Sequence, residues 1–108
     1  MRIKKEMVIK IINRKEKIYL TKKSFLISGN ICGERIRLAR ILQKPSVTQD
    51  ELAMKINLMG YGITPLIISR IEKNQRHVCD LELKILSKSL GVSMDWLCGE
   101  DDDLSNQN

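Results

Sequence analysis

Thr48-Gln49-Asp50-Glu51-Leu52-Ala53 opens one helix, and Thr64-Pro65-Leu66-Ile67-Ile68-Ser69-Arg70-Ile71-Glu72-Lys73-Asn74 opens and closes the next. The first stretch has the form of a capping box. Its threonine hydroxyl can satisfy the third helical N–H, and Glu51 can reach back to the N–H of Thr48. Leu52, Ala53 and Ile56 follow as a stripe to bury, and Gly60-Tyr61-Gly62 breaks the helix. In the second stretch Thr64 can cap, Pro65 fits the first helical position where no donor is needed, and Asn74 is a left-handed stop. This predicts a helix over 65–73, with Ile68 and Ile71 facing one way and Ser69, Glu72 and Lys73 more polar.

The flanking sequence continues the helical pattern. From Gly33 to Gln43, basic Arg35, Arg37 and Arg40 alternate with apolar Ile36, Ala39 and Leu42, a stripe widened by Leu38 and Ile41, until Pro45. Residues 80–90 set Leu83, Leu86 and Leu90 in register behind Asp80 and end at Gly91. A short fifth helix begins at Ser93, with Trp96 and Leu97 to bury. Five helices with short connections predict an all-α domain over 31–99. It is preceded by a basic extension over 1–30 and followed by an acidic, polar tail over 100–108, read as disordered.

Charge and length narrow the function. The chain has 108 residues, enough for one domain, and 19 Lys or Arg against 13 Asp or Glu give +6. That charge is uneven: residues 1–32 hold nine basic and two acidic side chains, while residues 33–99 amount to only +3. Residues 7–12 and 18–20 are β-prone and admit a short hairpin. The extension reads either as an arm that touches phosphates or as a solvated tail. No apolar run has the roughly 18 residues a membrane span needs. Cys32, Cys79 and Cys98 are odd in number and scattered, which suits a reducing cytoplasm rather than a disulfide framework. His77 and Cys79 lack the close ligand pairs of a metal site, and no nucleophile has a recognisable base. The reading is therefore a binding module, with no enzyme activity, metal or cofactor.

Four stretches in order, Gly33-Glu34-Arg35-Ile36-Arg37, Thr48 to Ala53, Ile68 to Asn74 and Leu90-Gly91-Val92-Ser93-Met94-Asp95-Trp96-Leu97, resemble the XRE-type, lambda-repressor-like helix-turn-helix family. The resemblance covers about residues 31–99. It implies double-stranded DNA binding by a small cytoplasmic, repressor-like transcriptional regulator of bacterial or phage type, with the helix over 65–73 in the major groove. It also implies roles for particular residues. Gln49 donates to phosphate; Thr64, Leu66, Ile67, Ser69 and Arg70 face base edges; Lys73, Gln75 and Arg76 contact phosphate. Thr64 is a cap as well, and Cys79 stands where a capping hydroxyl is common. A homodimer is expected because one such module makes few base contacts, with Trp96, Leu97 and Leu104 as its interface. The chain departs from the family pattern twice. The turn between Ile56 and Ile63 is long, and Pro65, Leu66 and Ile67 cannot hydrogen-bond a base through their side chains. The alternative is an antitoxin-like or adaptor module that turns Leu66 and Ile67 to a partner protein.

Overall fold

At the start of each helix among the described residues a side chain accepts from a backbone N–H. A computed structural model of the chain describes residues 29–100; the suggested hairpin and the tail beyond Glu100 lie outside them. Helix α1 (Gly33–Ile41) follows Asn30, whose Oδ1 accepts from the N–H of Cys32 at 3.0 Å and of Gly33 at 2.7 Å. Helix α2 (Gln49–Leu58) carries the complete Thr48–Glu51 capping box, both bonds at 3.0 Å. Helix α3 (Pro65–Glu72) starts with the Thr64 hydroxyl accepting from the Ile67 N–H. Helix α4 (Asp80–Leu90) has Glu82 accepting from the N–H of Cys79, the half of a capping box that serves the cap residue's own N–H. Helix α5 (Met94–Leu97) opens on the Ser93 hydroxyl.

The ends are equally local. Asn74 takes a left-handed φ of 60° just after α3, and Gly91 takes 69° after α4, a conformation glycine adopts without steric cost. Helix α1 stops at Ile41, ahead of Pro45, and α3 ends one residue short of the predicted 73, at Glu72.

The five helices of the described residues share one core. Ile36, Leu52, Ile56, Ile68, Ile71, Leu86, Trp96 and Leu97 are almost fully enclosed, each large side chain contributing about 1.5–3 kcal/mol by leaving water. Helix α3 packs against α1 and α2, while α4 packs against both and carries α5. Trp96 and Leu97 are wholly interior, as the short fifth helix predicts, which corrects the further expectation that they form a dimer surface; Leu104 lies outside the described residues. Arg35 is interior too, donating to Trp96 O at 2.8 Å with its guanidinium 4.9 Å from the indole centroid. The last carbonyls of α4 receive Lys55 Nζ (2.7 Å, to Ser89) and Gln43 Nε2 (3.0 Å, to Leu90).

The capping carboxylates make stability sensitive to acid. The Thr48 N–H and hydroxyl hold Glu51 below the usual carboxylate range. Burial alone pushes Glu82 up, but its bonds from Arg76 and the Cys79 N–H outweigh that and leave it lowered. Both groups titrate lower when folded than when unfolded. Their contribution is therefore full above the unfolded value, about 4.3, and lost as pH falls through the folded value. The thermal midpoint should hold near neutrality and drop below about pH 4. Glu82→Gln should show a shallower drop by circular dichroism; an unchanged acid limb would refute the assignment.

Candidate nucleic-acid interface

Helix α3 presents one open stripe. Leu66, Arg70 and Lys73 are all exposed and stand at i, i+4 and i+7, the spacing that brings side chains onto one face of a helix. The opposite face is sealed: Ile68 and Ile71 have no exposed surface, and Glu72 is nearly enclosed. Ile67 is half-buried and packs against the core. This corrects the expectation that it stands outward beside Leu66. Ser69 is half-buried on the flank, and Pro65 and Thr64 are exposed at the head of the helix. The Thr64 oxygen is used in capping, but a hydroxyl that accepts can still donate.

The long turn does not leave α3 loose. Asn57 Nδ2 donates to Ala53 O at 2.7 Å and to Ile63 O at 2.8 Å, joining the last turn of α2 to the residue before Thr64. The Tyr61 N–H returns to Ile56 O. The far end is fixed by Asn30, whose Nδ2 donates to Ile71 O at 3.0 Å and Arg76 O at 2.8 Å. One side chain thereby caps α1 and ties it to the end of α3.

Glu72 is the polar centre behind the stripe. Its carboxylate accepts from Arg40 Nε (2.8 Å) and Nη2 (2.9 Å), a two-pronged pair, and from Gln49 Nε2 (3.1 Å). Arg40 Nη1 also donates to Val47 O at 2.9 Å. Its hydrogen bonds to Glu72 hold the Arg40 guanidinium above its ordinary value, with burial pulling the other way. Three elements (α1, the start of α2 and the end of α3) are clamped here.

Two predicted phosphate contacts are thus engaged within the protein. Gln49 is half-buried and bonded to Glu72 rather than simply solvated, although an amide has a second N–H to give. Arg76 pairs with Glu82 (2.8 Å) and donates to His77 O, bracing the loop between α3 and α4. Lys73 and Gln75 remain exposed. Asn30, Asn57 and the Arg40–Glu72 pair were not anticipated. The one sequence signal for Asn30 was an N-capping residue three places before Gly33.

No helix among the described residues is long and apolar enough to cross a membrane. Neither the curated proteins nor the solved structures contain a match to this chain. A family model described as helix-turn-helix does match, over residues 36–97, a span from within α1 to the end of α5. With more than half of its length inside that match, and with α2, its turn and α3 arranged as above, the chain belongs to the XRE-type, lambda-repressor-like helix-turn-helix family of DNA-binding regulators.

Proposed function

We propose that the protein is a small transcriptional regulator, repressor-like and homodimeric, that lays α3 in the major groove of duplex DNA. The observation that carries this is the α3 stripe: an exposed leucine and two exposed cations on one face, backed by a rigid clamp. Arg70 has the planar fork that matches the two major-groove acceptors of guanine. Thr64 and Ser69 supply hydroxyls near the head and flank of the helix. Lys73, Gln75 and the second amide hydrogen of Gln49 meet phosphates and fix the register, helped by the partial positive charge at the start of α2. Arg76 supports this surface by holding the loop beside it. Two copies on a palindrome would place half-sites about one helical turn apart. The setting is the cytoplasm, at the nucleoid.

Fluorescence anisotropy with labelled duplexes tests this. Between 50 and 200 mM salt, four or five neutralised phosphates should weaken binding on the order of a hundredfold. Affinity that ignores salt, or no binding, would overturn the proposal. The adaptor or antitoxin-like reading is favoured by a different surface from the one expected, since Ile67 is packed inward. Met54 (65% exposed) and Leu58 (83%) stand one turn apart on α2. Exchanging both for serine should leave DNA affinity within twofold, whereas an adaptor would lose its protein partner.

A further inference from the structure

The head of α3 offers DNA no hydrogen-bonding side chain between Pro65 and Ile68, and this has a chemical consequence. Pro65 has no polar side-chain group, Ile67 packs against the core, and Ile68 is fully enclosed. What remains is Leu66, 59% exposed, and a single exposed leucine would ordinarily need no explanation. Here it shares its face with Arg70 one turn on and Lys73 two turns on. Cations beside an open apolar side chain suit a polyanion that itself displays an apolar group. In the major groove that group is the C5 methyl of a pyrimidine.

We propose that Leu66 reads a pyrimidine C5 methyl, and that Arg70 reads a guanine about two base pairs away. This rests on α3 entering the major groove, as argued above. The spacing follows from geometry: four residues at 1.5 Å rise place the two side chains about 6 Å apart along the helix, against roughly 3.4 Å per base step. Helical side chains lean toward the N-terminus, so Leu66 covers the surface over the capping turn, the leading end of α3. An unmethylated cytosine at that position would face its N4 donor onto a leucine, leaving the donor desolvated and unpaired. Thymine and 5-methylcytosine both carry the methyl group, and thymine also removes that donor.

The experiment uses the full chain and a duplex selected from a random pool. Each thymine in the selected site is replaced singly by uracil, which deletes only the methyl group. One such exchange should weaken binding by about fourfold, the effect of one buried methyl group. In Leu66→Ala the same exchange should change nothing, while the melting curve stays that of the wild type because the side chain is exposed. Placing cytosine at that position should weaken binding further, and methylating its C5 should recover a similar factor. A site in which no uracil exchange matters, or in which the effect persists in Leu66→Ala, overturns this inference while leaving salt-dependent DNA binding intact. Failure to bind any duplex overturns both.

Discussion

Glu72→Ala should lower the unfolding free energy by about 3–5 kcal/mol, the range for removing one partner of a buried ion pair. The Glu72 side chain is 3% exposed and Arg40 only 11%, so the mutant leaves a guanidinium with little water to replace its two-pronged partner. Gln49 loses its acceptor at the same time. For a domain with 5–15 kcal/mol in total, this is a large fraction, and the thermal midpoint should fall by roughly 15 °C or more. Urea denaturation measures the loss directly. Arg40→Ala alone should cost a comparable amount. The double mutant should be less destabilised than the sum, because neither charge is then stranded. A loss below about 1 kcal/mol would mean the pair behaves as a surface salt bridge, and the clamp behind α3 would have to be abandoned.

That clamp also marks where sequence reasoning stopped. Features decided within a few residues were legible: the Thr48–Glu51 box, Thr64 before Pro65, Asn74, Gly91 and Ser93 all stand where their local chemistry placed them. That Leu66, Arg70 and Lys73 share one face follows from the helical repeat alone. Arg40 and Arg35 turn to partners distant in sequence, 32 residues on for Glu72 and 61 for the Trp96 carbonyl, and no local pattern shows such partners. Ile67 was misplaced for another reason. Leu66, Ile67 and Ile68 are three consecutive apolar residues, which leave the phase of the buried face undetermined until α1 and α2 pack against it. Arg76 is expected at phosphate because nothing in the sequence shows that the loop folds it back onto Glu82. The grouping of the reading surface is therefore local information; which way it faces and what holds it rigid are tertiary.

Gly33→Ala makes the sharpest case of such tertiary control, since local propensity predicts the wrong sign. Within a helix alanine is ordinarily favoured over glycine by roughly 1 kcal/mol, so the exchange should stabilise α1 if the helix stood alone. Against α3 it cannot. A methyl group at residue 33 would lie 2.2 Å from Ile71 O, 2.7 Å from Asn74 Oδ1 and 3.1 Å from Glu72 O. The first and third contacts are backbone carbonyls at the end of α3, unable to swing aside as a flexible side chain does. Relief requires α1 and α3 to separate, which also strains the Asn30 bonds to Ile71 and Arg76 and the Arg40 bonds to Glu72. The expected loss is about 3 kcal/mol, at the upper end for an overpacked interior. Gly62→Ala is the control: nothing lies within 4 Å of its added methyl group, and stability should stay within about 0.5 kcal/mol. DNA affinity should follow the same order, because Arg70 and Lys73 sit on the helix that Gly33→Ala displaces. A Gly33→Ala protein that melts at or above the wild-type temperature would show that α1 and α3 tolerate a wider spacing, and that the rigidity of the reading surface comes from elsewhere.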